Sequence, residues 1–136
     1  AVAAKAESRL DEFTEQHFSN TVWAFAKAGV DATGLFRAIA TKAESRLDEF
    51  TSQALSNTVW AFATAGVDEP GLFRAVAAKA VSRLDEFTEQ HFSNTVWAFA
   101  KAGVDATGLF RAVAAKAESR LDEFTEQSLS NTVWAF

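Results

Sequence analysis

Apolar and polar side chains alternate along this chain with the period of an amphipathic helix. Turned at about 100° per residue, the segment around Trp23 gathers Phe18, Val22, Phe25 and Ala26 on one side. Gln16, Asn20 and Lys27 lie opposite, with His17 and Ala24 to one side and Trp23 at the margin. Thr21, Ala24 and Ala28 make a small-residue flank along which a neighbouring helix can approach closely. The next segment places Phe36, Ile39, Ala40, Ala43 and Leu47 inward and Arg37, Thr41, Glu44 and Ser45 outward, with Lys42 and Arg46 on a flank. Gly29 suits the left-handed position that ends the first helix. Thr14 suits the N-cap that starts it, and Asp31 suits the N-cap of the second. The pattern predicts one helix over about 15–28 and another over about 32–47.

The same pair of helices is written again and again. Ser-Asn-Thr-Val-Trp-Ala-Phe stands at 19–25, 56–62, 93–99 and 130–136, so Trp23, Trp60, Trp97 and Trp134 step by 37 residues without insertion or deletion. Thr51, Thr88 and Thr125 repeat the first cap, Gly66 and Gly103 repeat the stop, and Asp68 and Asp105 repeat the second cap. Pro70 falls in a first helical turn, where proline is tolerated. The expected organisation is an all-α solenoid of about 3.7 helix–turn–helix units. It comprises a partial repeat at 1–13, repeats at 14–50, 51–87 and 88–124, and a partial repeat at 125–136. Both ends fall inside the motif, which suggests a window from a longer array with further repeats at both ends. Apolar residues such as Val133, Trp134 and Phe136 would then need cover from those repeats, from a capping partner or from a second copy.

Composition removes several classes of function. The 136 residues contain no cysteine, which excludes disulfides, thiolate metal sites and thiol catalysis. The longest apolar runs, such as Val22–Ala26, are far short of a membrane span, and no membrane partner is expected. The formal charge is −5, which argues against holding nucleic acid mainly by phosphate neutralisation but leaves room for a local positive stripe. The outward charges of the second helices are of mixed sign and spaced for i,i+3 and i,i+4 pairing, as on a solvated face.

No catalytic constellation is written in the chain, and no cofactor or metal is expected. His17 and His91 sit two repeats apart, roughly 20 Å if helices pack 8–10 Å apart, too far to share a zinc ion. Asp48-Glu49 and its copies read as a solvated turn. Four identical copies would also make four identical active sites, so the chain reads as non-enzymatic.

Where the copies differ, they differ at few places. These are His17/Ala54/His91/Ser128, Glu15/Ser52/Glu89/Glu126, Lys27/Thr64/Lys101 and Phe18/Leu55/Phe92/Leu129 on the first helix. On the second they include Ala32/Glu69/Ala106, Thr33/Pro70/Thr107, and Val81 against Glu7, Glu44 and Glu118. The variable 17-type and 27-type positions border a constant polar face, the arrangement used by repeat proteins that read one base per unit. The candidate RNA-binding residues are therefore Gln16, His17, Asn20 and Lys27; Gln53, Asn57 and Thr64; Gln90, His91, Asn94 and Lys101; and Gln127 and Asn131. Surface drift after duplication explains the same variation without any ligand. Trp23 and its copies either stack on bases or wedge between hairpins.

The string Phe-Thr-x-Gln-x-Phe/Leu-Ser-Asn-Thr-Val-Trp-Ala-Phe-Ala resembles the octotricopeptide and heptatricopeptide repeat group. That resemblance implies single-stranded RNA binding in an organelle, chloroplast or mitochondrion. The rival reading is a structural or protein-binding scaffold within a large assembly, or a consensus-type designed repeat. A positive first-helix groove through Lys27 and Lys101 would favour RNA, and an acidic one a protein partner.

Overall fold

A computed structural model describes residues 12–120. Six α-helices alternate between two layers: α1 (Glu15–Ala28), α2 (Thr33–Glu44), α3 (Ser52–Ala65), α4 (Pro70–Ser82), α5 (Glu89–Ala102) and α6 (Thr107–Ser119). Short 3-10 turns at Leu47–Glu49 and Leu84–Glu86 lead from one hairpin to the next. No strand occurs among the described residues.

The first helix of each hairpin starts and stops where its residues dictate. The Thr14 hydroxyl accepts the His17 N–H at 3.3 Å, Thr51 accepts that of Ala54 at 3.0 Å, and Thr88 that of His91 at 3.2 Å. Gly29, Gly66 and Gly103 adopt φ of 69°, 72° and 70°. From there Val30 N–H reaches back to the Phe25 carbonyl at 3.3 Å and Val67 N–H to that of Phe62 at 3.1 Å, the six-to-one bond that closes a helix end. The fourth cap, Thr125, lies outside the described residues.

The second helices depart from expectation at both ends. Asp31 is not the N-cap, because that place belongs to Ala32, which has no side-chain cap bond. Asp31 acts from one residue further out, its Oδ1 accepting the backbone N–H of Thr33 at 3.2 Å and its hydroxyl at 2.8 Å. Asp105 does the same for Thr107, whereas Asp68 faces Pro70, which has no N–H to donate. The helix also stops at Glu44 rather than near 47. The Ser45 hydroxyl donates to the Lys42 carbonyl, Arg46 N–H bonds the Ala43 carbonyl, and the chain tightens into a 3-10 turn. That tightening turns Leu47 and Phe50 into the core, at 4% and 1% exposure.

The core runs between the layers and across hairpin boundaries. Along the first layer α1 packs on α3 and α3 on α5, and along the second α2 packs on α4 and α4 on α6. Thr58 and Ala61 of the small-residue flank are buried in the first-layer contact, as are Thr95 and Ala98. Phe36 of α2 meets Phe62 of α3 with ring centroids 5.0 Å apart, and Phe73 of α4 meets Phe99 of α5 at 5.0 Å. Each second helix is thus pinned to the first helix of the next hairpin. A fully buried phenylalanine contributes about 1.5–3 kcal/mol, so these pairs add to the more extensive packing of α1 on α3 and α3 on α5 that joins the copies.

Candidate nucleic-acid interface

The outer side of the first layer is built from positions four, three and four residues apart, which align on one face of each helix. In α1 they are Gln16, Asn20, Trp23 and Lys27, in α3 Gln53, Asn57, Trp60 and Thr64, and in α5 Gln90, Asn94, Trp97 and Lys101. Gln16, Asn20, Lys27, Gln53, Thr64, Gln90 and Lys101 are exposed, and Asn57 and Asn94 half-buried. Because α1, α3 and α5 pack side by side, the structure brings these candidates onto one continuous surface. Gln127 and Asn131 lie outside the described residues.

Hydrogen bonding fixes part of this stripe. Gln16 Nε2 donates to Asn20 Oδ1 at 2.9 Å, and Gln90 Nε2 to Asn94 Oδ1 at 2.9 Å. The bond holds the two amides in one orientation and leaves the asparagine N–H groups and the glutamine oxygen outside it. Gln53 and Asn57 do not make it. Asn20 and Asn94 therefore bond along their own helix rather than between helices.

The tryptophans line the edge of the stripe. Trp23 is 42% exposed and Lys27 Nζ stands 5.5 Å from its ring centre. Trp60 and Trp97 are half-buried against the core, their ring centroids 6.5 Å apart and their planes inclined by 33°. They serve as partial wedges between neighbouring first helices and still present ring surface outward.

The histidines have an occupation that spacing alone did not reveal. His17 Nδ1 accepts the backbone N–H of Thr14 at 3.1 Å while Thr14 accepts that of His17, a reciprocal cap. His91 and Thr88 repeat it at 3.2 Å. Each ring also stands edge-on to the preceding phenylalanine, Phe13 at 5.5 Å and Phe87 at 5.7 Å. Burial holds the His91 imidazole below its usual pKa. The alternation His17/Ala54/His91 thus tracks two ways of starting a helix, since Ala54 is buried at 1% exposure.

The charges separate by layer. On the first-layer surface Glu15 and Glu89 offset Lys27 and Lys101, and α3 carries no charged residue, so the face is neutral rather than positive or acidic. The second layer carries Arg37, Lys42, Arg74, Lys79, Arg111 and Lys116 against Glu44 and Glu118. Asp48 is not merely a solvated turn residue. It pairs with Lys79 of the next hairpin, Asp85 pairs with Lys116 in the same way, and these lysines hold both carboxyls below the usual range. Sequence inspection missed this pairing because its partners are a whole hairpin apart; the constant offset of Asp48 to Lys79 and Asp85 to Lys116 was the available signal. Among the described residues no group of histidine and carboxylate side chains could hold a metal ion, and no helix is long and apolar enough to cross a membrane.

Stacked helical hairpins with a recurrent polar and aromatic stripe make this an all-α protein of the hairpin-array class. A family model described as RNA-editing substrate-binding complex 6 protein matches residues 1–136, and the chain belongs to that family. This is an RNA-editing-related helical family, and it replaces the octotricopeptide group as the statement of kinship. No curated protein matches the chain.

Proposed function

We propose that the chain is a non-catalytic α-solenoid segment that binds single-stranded RNA along its first-helix surface, as part of an RNA-editing assembly. The observation that carries the reading is the stripe itself. Amide, amide, indole and a basic or hydroxyl side chain recur at the same four places on α1, α3 and α5, on one surface. Amides hydrogen-bond base edges, and indoles stack on bases irrespective of sequence. The family supports the RNA context, and complexes of this kind work in mitochondria, which favours that organelle over the chloroplast.

In this reading Gln16, Asn20, Lys27 and their copies, Gln127 and Asn131 included, contact bases or phosphates. His17, Ala54, His91 and Ser128 tune preference in the manner of a one-base-per-repeat array, the histidines through Nε2, since Nδ1 serves the cap. The neutral face means that affinity comes from amide and ring contacts summed over repeats, with a shallow dependence on salt.

Selection of the chain against a random RNA pool tests this. The expected result is enrichment of single-stranded sequences, weakened by Asn57→Ala with Asn94→Ala at unchanged thermal stability. No enrichment, or binding at full strength by a variant whose fold has loosened, overturns the site. The rival scaffold reading draws on the neutral first-layer face and the formal charge of −5, and absence of RNA enrichment favours it.

A further inference from the structure

The two second-layer junctions are built from matching positions but end differently. Between α2 and α4, Arg37 Nη1 donates to the Asp68 carbonyl at 3.1 Å and to Glu69 Oε1 at 3.2 Å. Glu44 crosses the same junction, its Oε1 only 2.8 Å from where a Cβ on Gly71 would stand. Two carboxylates thus fill its end beside Gly71, while a notch of about 420 Å³ stays open further along, between Glu44 and Lys79. Between α4 and α6 both are replaced: Val81 stands for Glu44 and Ala106 for Glu69. Arg74, in the place of Arg37, is exposed and has no partner among the described residues. A Cβ on Gly108, in the place of Gly71, meets nothing within 4 Å. The result is an open notch of about 460 Å³ whose lining includes Ala77, Ala78, Val81, Ala106, Gly108 and Leu109. Val81 is 44% exposed there.

We infer that the α4–α6 junction is a docking notch for an acidic, apolar peptide segment of a protein partner. The partner's carboxylate pairs with Arg74, and an apolar side chain beside it fills the space against Val81 and the alanines. Charge complementarity selects this occupant. At the matching place of the neighbouring junction, carboxylates of the chain itself stand beside Arg37 and Gly71, and the α4–α6 junction lacks those groups while keeping the arginine. Arg74, Ala77, Ala78 and Val81 lie at i, i+3, i+4 and i+7 of α4, so charge and apolar surface share one face. Asp105 and Thr107 line the notch as well and are bonded to each other through Asp105 Oδ1, and Arg74 stands one helical turn of α4 beyond the lining. The notch lies on the layer opposite the first-helix stripe, so its occupation does not depend on RNA binding. A chain with both surfaces would join an RNA strand to a protein of the assembly.

Val81→Glu with Ala106→Glu tests the idea by restoring the carboxylates that the other junction carries. The full chain is panned against a displayed library of random short peptides, with the double variant as counter-selection. Enriched sequences should pair Asp or Glu with Leu, Ile, Val or Phe within one helical turn. A fluorescent synthetic copy of one such peptide should bind about tenfold or more weakly to the double variant and to Arg74→Ala. It should bind unchanged to Asn57→Ala with Asn94→Ala, which alters only the first-helix stripe. Circular dichroism of each variant should show the parent melting temperature, because the glutamates import side chains already present one repeat earlier. Peptides that fail to distinguish the parent from the double variant, or that carry no acid, overturn the proposal. So does an RNA oligonucleotide whose affinity falls with Arg74→Ala while no peptide is selected.

Discussion

Helices α1 and α5 share one fourteen-residue string, whereas α3 differs from them at four places. The contrast shows what the variation is for. In the outer pair, Thr14 and Thr88 close a reciprocal cap with a histidine, and a phenylalanine one residue on carries an arginine over its ring. Arg46 lies 5.1 Å from the Phe18 ring centre and Arg120 lies 5.2 Å from that of Phe92. In α3 the histidine is Ala54, the phenylalanine is Leu55, and with no ring to cover, Arg83 bonds the Phe50 carbonyl instead. Residues 17 and 18 change together because cap, ring and arginine form one local unit. Positions that look like free variation on a surface are tied to packing one residue away.

Burial gives the largest test of how far this contrast reaches. Phe62 in α3 is fully buried beneath Phe36, and its counterpart Phe99 in α5 is fully buried beneath Phe73. Phe62→Ala and Phe99→Ala should each cost about 3–5 kcal/mol, since a large core truncation adds a cavity to the lost transfer energy. Chemical denaturation of the two variants measures both losses. Clearly unequal losses would mean that the difference between α3 and α5 extends beyond the cap and its ring into the core.

Ala54→His comes next. In α1 and α5 the imidazole lies at the surface end of its helix, but Ala54 is buried with no room prepared for a ring. Importing the outer copies' residue should therefore destabilise by about 1–3 kcal/mol, as overpacking does, despite offering Thr51 a reciprocal partner. A gain in melting temperature would show that α3 can adopt the outer copies' cap unaided, and the coupling of residues 17 and 18 would fall.

How far the molecule could be read from its residues depends on the range of the forces involved. The bounds of α1, α3 and α5 were legible because Thr14 and Gly29 and their copies act within a turn of their own position. The shared face of Gln16, Asn20 and Lys27 was legible for the same reason, helical period being local. The early end of α2 was not, since the pull comes from burying Leu47 and Phe50, which depends on neighbours. Nor was the role of the histidines, because the N3 partner of a capping box is ordinarily glutamate or glutamine, and imidazole fills that place here. The pairing of Asp48 with Lys79 and the open notch at Val81 needed two hairpins placed side by side. For the candidate site, periodicity supplied the stripe but not the Gln–Asn bond that orients it or the neutrality of the face.

The smallest effect follows from the histidine that the outer copies have and α3 lacks. The His91 imidazole sits half-buried against Phe87, and that burial lowers its pKa below 6.5. Its Nδ1 accepts the Thr88 N–H, which requires the lone pair that protonation removes. A positive ring at a helix N-terminus also opposes the helix dipole, while Glu89 beside it softens the penalty. The folded state therefore prefers the neutral ring, and the unfolded chain binds more protons between the two pKa values. Stability from this group is fully present above about pH 6.5. It is lost as pH falls from there through the folded value, and below that it changes no further. With the ring partly exposed, the loss should amount to a few tenths of a kcal/mol, about the scale of a solvent-screened surface interaction. His91→Gln keeps a capping partner that does not titrate, so melting curves at about pH 5 and about pH 7.5 should differ less for this variant than for the parent. A directly measured His91 pKa at or above 6.5 would remove the whole effect, and with it the view that α5 holds a neutral His91 as its cap.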